Sequence, residues 1–539
     1  MNNSGRSLDF RDSFRSLIGK IKQFGIRPER FGLVCVVGVG LALRLYHLSD
    51  KGIWYDEADS IYCAQQSIGF FGEFLSYKPV YFFLLKIWAS GFGYGPGGVR
   101  FFSVLVSTAA MFIVYRLGKK IFGSGTGLIA GFLLAISCFS VFQAQQARHF
   151  SLMELLSACS FLMFIKALQA PGQAAFLAVF CMNLLIVFIH PYGNAVPLSQ
   201  ILLLAFLPRA RDKKKTLFLL VLPVILSALV LVSAGRNALE MVWWVPAPDA
   251  RSLGEFFATL NYGGTSYGLQ NFTIPREMLG LTISPNLVFG GLFAAGVFSS
   301  LKTGNEREKN FRCQTAGTFL CLAWFFVPVA LAFLFSFLKP VFVIKHLLFT
   351  AIPYYLIVAK GIIAFRSLLW RGMLMAAITA FSIQPLWTMH HHDFQHDWKN
   401  ISSHLKKQVK QDSLIVIGSN MEMLPFFYYF RGPDFLKNLR IVDGPEDQNT
   451  VSIEKPRMFF VGLRENQKHS ELFFVKDFEV SMQEVRRLPW KPEDVWVITS
   501  RWTDPRAFSF LKDYFKARSF KVDHETVFKG VQCARLSRR

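Results

Sequence analysis

The stretch "VYFFLLKIWASGFG" (residues 80–93) decides how the chain is threaded. It is apolar enough to suggest a membrane span. It has only fourteen residues, however, and carries Lys86, whereas a helix crossing a bilayer needs about 17–25 predominantly apolar residues. Counting it as a span would invert the orientation of everything that follows. Basic loops collect on the cytoplasmic side, and they give an independent check. The N-terminus "RDSFRSLIGKIKQFGIRPER" (11–30), "GKK" (118–120), "PRARDKKK" (208–215), "LKTGNEREKNFR" (301–312) and "RSLLWR" (366–371) all fall inside if 80–93 does not cross. We therefore read 80–93 as an amphipathic helix lying in the outer interface.

The rest of the chain fits a polytopic membrane protein. Of 539 residues, 52% are hydrophobic and only 18% charged, below the usual share for a soluble protein. Eleven spans are expected, at about 31–48, 99–117, 124–142, 151–169, 174–190, 192–207, 216–234, 286–301, 313–337, 347–364 and 372–388. The net charge of +23 then serves topology and contact with anionic membrane lipid, and does not point to nucleic acid. The eight cysteines are scattered without CxxC spacing, which argues against a disulfide framework or structural zinc. No cleavable leader is visible. The expected organisation is a cytoplasmic N-terminus (1–30), a transmembrane domain (31–388) with a catalytic outer loop (49–98), and an extracytoplasmic domain (389–539). In the last, "DSLIVIGS", "PRMFFVGL" and "DVWVITS" alternate with polar, helix-like stretches, as in a small α/β fold.

With this threading, the polar residues of chemical interest gather on one side. Asp56, Glu57, Asp59, Lys78, Arg100, Arg148, His149, His190, Lys345 and His346 fall at outer ends of spans or in outer loops. Carboxylates beside several cations at a membrane surface suit a lipid-anchored phosphate substrate. A carboxylate can take a proton from an acceptor hydroxyl, and Lys and Arg can hold the phosphate. Plainer readings exist. The Asp56–Glu57 pair fits a solvated loop, and Lys78 and Lys86 fit snorkelling side chains. Arg148 fits an interface anchor, and His190 before Pro191 fits a hairpin cap. Glu154 fits either a site residue or snorkelling. "HHHDFQHDW" (390–398) has metal-ligand residue types but reads first as a linker.

Taken together, seven stretches resemble the GT-C glycosyltransferases, in particular the bacterial group akin to protein O-mannosyltransferases and lipid A aminoarabinose transferases. "WYDEADSIYCAQQ" (54–66) is similar to that family's W-x-D-E-A loop, "YKPVYFFLLKIW" (77–88) to its H-P-P-L-Y-Y or K-P-P-L segment, and "VRFFSVLVS" (99–107) to L-R-L-P-S-x-L. "QAQQARHFSLMELLS" (143–157) looks like S-Q-E-A-R-x-Y, and "FIHPYGNAVPLSQ" (188–200) like the T-H-Y-F-G hairpin. "KPVFVIKHLLFTAIP" (339–353) resembles R-Y-L-L-F-A-x-P, and "DWKNISSHLKKQVKQDSLIVI" (397–417) the D-W-R opening of the outer domain.

The resemblance implies an α-helical GT-C membrane enzyme with a small C-terminal α/β domain. It would move a sugar from a polyprenyl-phosphate donor to a lipid, polysaccharide or protein acceptor at the outer face of the inner membrane, with inversion. Asp56 is then the expected general base and Glu57 its catalytic support. Lys78, Arg148, Lys345 and His346 are the expected donor-phosphate contacts, and Tyr77, Tyr81, Gln145, Gln146 and His190 the expected substrate contacts. The departures bear on a metal. Gln146 stands where the family has Glu, Tyr77 where it has His or Glu, and Val80 where it has a second Pro. No cofactor is required by this reading. The missing acid and His argue against a divalent metal unless Glu57 or Glu73 holds it. Two rivals are a transporter or flippase for lipid-linked sugars, which predicts broken helices in related halves, and a non-catalytic scaffold.

Overall fold

The computed structural model describes residues 28–66, 79–206, 212–233, 245–263, 276–302, 314–391, 396–410, 413–418, 422–437, 457–460, 492–500 and 505–539. They group into two compact units. One takes Met1–Tyr46, Gly69–Tyr81 and Arg100–His392; the other takes His47–Ile68, Phe82–Val99 and Asp393–Arg539.

A helix stands at each of the eleven expected spans. They are α1 (Pro28–Leu45), α4 (Pro96–Ile121), the pair α5 (Ser124–Ile136) and α6 (Cys138–Ala144), α7 (Phe150–Gln169), α8 (Gln173–Ile189), α9 (Ala195–Ala205), α10 (Lys213–Ser233), α12 (Arg276–Lys302), α13 (Gln314–Phe335), α14 (Ala351–Ala364) and α15 (Leu368–His391). Among the described residues seven helices are long and apolar enough to cross a membrane, or eight if α5 and α6 count as one span. By that measure α1 is 18 residues with Glu29, Arg30 and Arg44 inside it, while α8 and α9 have 17 and 11 residues. The stretch 80–93 forms α3 (Pro79–Phe92), a short apolar helix of 14 residues, as its length required. Another short helix, α11 (Ala250–Asn261), begins with an Asp249–Ser252 capping box.

The expected single span at 124–142 departs from a straight rod: α5 and α6 meet at 61°. Ser137 makes the break. Its backbone is extended (φ −63°, ψ 113°), and its hydroxyl accepts from Ser140 N–H as the N-cap of α6. A break inside a membrane frees the last carbonyls of the first helix, and these need partners because lipid offers none. Arg44, fully buried, supplies them. Its guanidinium donates to the Ala135 carbonyl at 3.1 Å and the Leu134 carbonyl at 3.2 Å, to Gly40 on its own helix at 3.0 Å, and to the Ser107 and Ser140 hydroxyls at 2.9 Å each. Both hydroxyls donate onward to the buried Glu154 carboxylate on α7, at 3.4 Å and 3.2 Å. Gln145 returns the arrangement: its amide donates to the Arg44 and Tyr46 carbonyls at 3.1 and 2.7 Å, closing the C-terminus of α1. Glu154 therefore does not snorkel. With Arg44 it ties α1, α4, α5, α6 and α7 together.

Other helices meet through small residues and amide rings, as membrane bundles commonly do. A Cβ on Gly361 of α14 would sit 1.9 Å from the Leu292 carbonyl of α12, so the two backbones touch there. Ser160, Asn183 and Gln200 close a buried ring of hydrogen bonds of 2.7–2.8 Å between α7, α8 and α9.

The second unit is built on a five-stranded sheet in the order β2-β1-β3-β5-β4. The strands are β1 (Leu414–Ile417), β2 (Arg457–Phe460), β3 (Asp494–Ser500), β4 (Phe520–Phe528) and β5 (Val531–Arg538). The three expected strands are all present and pair in parallel. The hairpin β4–β5 adds an antiparallel edge, turning at Gly530, whose φ of +70° suits glycine. Helix α18 (Pro505–Lys516) lays Phe508, Leu511 and Phe515 on Leu414, Val416, Val495 and Val497. The same unit contains α16 (Trp398–Gln408), α17 (Met423–Phe430) and the acidic helix α2 (Tyr55–Gln66).

Replacing Arg44 by Ala would leave two helix-end carbonyls buried without their donor and the Glu154 carboxylate buried without the positive charge beyond its serine donors, at a cost of about 3–5 kcal/mol. Arg44→Lys should recover little of that, because one ammonium cannot reach all the acceptors that the guanidinium fork spans. Melting of the detergent-purified chain measures this; an unchanged transition for Arg44→Ala would mean the break is held by something else.

Candidate active site

The two acids of "GIWYDEADS" do not lie in a solvated loop. They occupy the first turn of α2, where negative charge is favoured by the helix dipole. Glu57 is buried and Asp56 half-buried. The helix is fastened within its unit at both ends. Ile53 N–H donates to the Tyr429 hydroxyl at 2.6 Å, Gln65 donates to the Pro433 carbonyl at 3.1 Å, and Gln66 donates to the Leu436 and Lys437 carbonyls at 3.0 Å each. Tyr428 of α17 donates to the Tyr94 carbonyl at 2.9 Å.

In the first unit, three segments bring imidazoles together. His149 is the residue before α7, His190 the residue after α8, and His346 lies in the 3₁₀ turn Ile344–Thr350. All three are buried. Ring centroids of His149 and His190 are 4.6 Å apart, those of His190 and His346 4.2 Å, and those of His149 and His346 5.6 Å. One nitrogen from each converges within 4.8 Å of the others. Phe150 and Tyr192 pack on His346 at 5.3 and 5.1 Å, and Tyr81 stands 6.1 Å from His149. Cations accompany them. Lys345 is buried with its ammonium 6.0 Å from the Phe150 ring centre, within cation–π range. Arg148 and Arg100 are buried as well, and Ser103 donates to the Arg148 carbonyl at 3.4 Å.

Local rules explain these placements. His190 has an extended backbone, and its Nδ1 accepts from Tyr192 N–H at 3.3 Å, with Pro191 opening the 3₁₀ turn Pro191–Asn194. The plain hairpin-cap reading of His190 therefore holds alongside its place among the imidazoles. Tyr192 in turn props the late segment: its hydroxyl donates to the Val341 carbonyl and accepts from Val343 N–H at 3.2 Å.

The structure thus brings Tyr81, Arg148, His190, Lys345 and His346 into one unit with His149, while Asp56 and Glu57 belong to the other. Gln146 is buried beside Arg148, whose N–H reaches its carbonyl at 2.8 Å. The Gln145 amide group is engaged in capping α1, leaving its Oε1 buried without a partner among the described residues. Tyr77, Lys78 and Glu73 lie outside the described residues. His390 packs on Tyr46, and His391 contacts the Trp387 carbonyl at 2.9 Å. Sequence reading placed His149 among the outer polar groups without a specific role, and singled out neither Tyr192 nor Arg44. An aromatic directly after His190-Pro191 and an Arg inside the first apolar run were the available signals.

Among known proteins, the family model described as dolichyl-phosphate-mannose-protein mannosyltransferase matches residues 77–235, the stretch from α3 through α10. That segment holds Arg148 and His190, but not Asp56, Glu57, Lys345 or His346. No curated protein matches the chain in sequence. In structure it is similar to ArnT from Cupriavidus metallidurans bound to undecaprenyl phosphate, with a TM-score of 0.55 at 11% identity, covering 93% of this chain and 97% of that one. The same protein in its apo state gives a TM-score of 0.56 at 11% identity and the same coverage. The oligosaccharyltransferase of Archaeoglobus fulgidus in its apo form is similar with a TM-score of 0.51 at 13% identity, covering 88% of this chain and 69% of that one. The resemblance to GT-C glycosyltransferases read from the sequence is borne out at the level of fold and family model.

Tyr192→Phe removes the prop under the segment that carries Lys345 and His346. It should cost about 1–3 kcal/mol, the usual penalty for leaving a buried polar group unmatched. Hydrogen exchange should speed up at 341–350 and stay unchanged in α7; equal protection in both would mean that Tyr192 does not hold the segment.

Proposed function

We propose that this chain, with its GT-C glycosyltransferase fold, transfers a sugar from a polyprenyl-phosphate donor to a lipid, polysaccharide or protein acceptor at the outer face of the inner membrane. One observation carries the reading. Arg148 and Lys345 lie buried in the same unit as a cluster of imidazoles, in a fold shared with a protein solved with undecaprenyl phosphate. A lipid phosphate sets anionic oxygens beside buried cations at membrane depth.

The chemistry follows from charge development. The acceptor oxygen attacks the anomeric carbon as the bond from that carbon to the phosphate oxygen breaks, which inverts the anomeric centre. The acceptor hydroxyl proton goes to Asp56, and the electron pair leaves with the polyprenyl phosphate. Asp56 is the proposed base because its carboxylate is only half-buried at the start of α2. Buried Glu57 then steadies that turn. Arg148, Lys345 and His346, with Lys78, stabilise the negative charge gathering on the leaving phosphate. Tyr81, Gln146, Tyr77 and His190 line the substrate, and Oε1 of Gln145 is an acceptor for a sugar hydroxyl.

Asp56→Asn should leave the protein inserted and folded and lower transfer by about 10²–10⁴-fold, the usual contribution of a general base. Mass spectrometry of envelope glycans and polyprenyl-phosphate sugars, in a deletion strain complemented with either form, reads this directly. The intact gene should restore a sugar that Asp56→Asn does not, while the lipid-linked donor accumulates. Full restoration by Asp56→Asn sinks the base assignment. Arg148→Ala and Lys345→Ala should each raise the donor KM. Unchanged donor dependence in both variants refutes the phosphate role.

A further inference from the structure

We propose that His149, His190 and His346 form a binding site for one transition-metal ion of the zinc type, with its fourth position left to water or an anionic oxygen. The site stands on geometry within the first unit and does not depend on the glycosyl-transfer reading.

Three buried imidazoles rarely gather without purpose. Imidazole ligates a metal in its neutral form, through the lone pair of either ring nitrogen. The spacing is close to that of a liganded set. With zinc–nitrogen bonds of about 2.0–2.1 Å in a tetrahedral arrangement, ring centres lie about 5 Å apart. The observed separations of 4.2, 4.6 and 5.6 Å bracket that value, and they form a triangle rather than a row. The converging nitrogens, now within 4.8 Å of one another, must close to about 3.4 Å to share an ion.

Two adjustments accomplish this. The rings lie nearly parallel, 6° between His149 and His190 and 21° between His190 and His346. Each has to turn about its broad second side-chain torsion to aim a lone pair at the common centre. At His190 the Nδ1 lone pair now accepts from Tyr192 N–H at 3.3 Å. If Nδ1 takes the metal, that hydrogen bond is exchanged for the metal bond; if Nε2 takes it, Nδ1 must carry the proton and the cap opens. Either way metal binding loosens the cap.

The donor set selects the ion. Imidazole suits zinc, cobalt, nickel and copper, whereas magnesium and calcium take oxygen ligands. A three-histidine set with one open position is the pattern of zinc sites that keep a exchangeable ligand. Buried Lys345 and Arg148 adjoin His346 and His149 in sequence, and their charges favour an anionic fourth ligand over a neutral one.

The test uses the untagged full-length chain in detergent, stripped with a chelator, dialysed, and titrated with Co²⁺ while visible d–d absorption is followed, then with Zn²⁺ in competition. One equivalent with tetrahedral-type bands is expected, displaced by Zn²⁺. His149→Gln and His346→Gln should each weaken binding by more than about 100-fold, beyond what the loss of a merely supporting residue costs. His391→Gln, outside the cluster, should bind as the parent does. Gel filtration and melting confirm that each variant is folded; His190→Gln is not needed, since its cap role could unfold it. No stoichiometric uptake, or uptake that is the same in both variants, overturns the site. Failure of the Asp56→Asn experiment would leave the cobalt result standing, and failure of the cobalt titration would leave the transfer result standing, so the two readings fall separately.

Discussion

The buried guanidinium of Arg44 is the contact on which the helical unit depends. A membrane bundle cannot leave helix-end carbonyls facing lipid, yet α5 and α6 break at Ser137 in the middle of an apolar run. Arg44 converts that liability into a junction. It satisfies the ends of α5, and through two serine hydroxyls it reaches Glu154. Gln145 answers by closing α1. The segment 143–150 is fixed as a result, and with it Arg148 and His149. The cluster of imidazoles and cations is thus positioned by a polar network in which Arg44, Ser107, Ser140 and Glu154 have no part in the proposed chemistry.

How much of this was legible in the sequence depended on distance along the chain. Local features were readable. Fourteen apolar residues are too few to span, so α3 was expected to be short, and it is. The strands of "DSLIVIGS", "PRMFFVGL" and "DVWVITS" announced themselves as β-rich runs between turns, and they pair as the parallel part of the sheet. The hairpin β4–β5 went unread, although "FKVDHETVF" alternates and "KG" follows it. Its polar alternate positions kept it from looking like the buried strands beside it. The break at Ser137 was invisible because hydropathy is continuous across 124–142, and only Arg44, far upstream, makes it tolerable. The three imidazoles come from segments whose neighbours share no motif, so only the packing of α7, α8 and the late 3₁₀ turn could gather them.

The second unit has a division of labour of its own. The parallel sheet and α18 provide a hydrophobic core. The adjoining α17 and the turn after it, Pro433–Lys437, provide hydrogen-bond partners for the acidic helix. A C-terminal domain that looked like an appendage in the sequence is, in this fold, the bed on which Asp56 and Glu57 rest.

That bed has a consequence for shortened forms of the protein. A twelve-residue helix such as α2 is marginal by itself in water, and its fastening groups, the Tyr429 hydroxyl and the carbonyls of Pro433, Leu436 and Lys437, all lie more than three hundred and sixty residues downstream of the residues they hold. A truncation after the last membrane helix would keep every acid in the covalent chain while removing what holds their helix in shape. Loss of activity in such a truncation would look like proof that the C-terminal domain binds a partner or substrate, when the domain's contribution is to keep a distant segment folded.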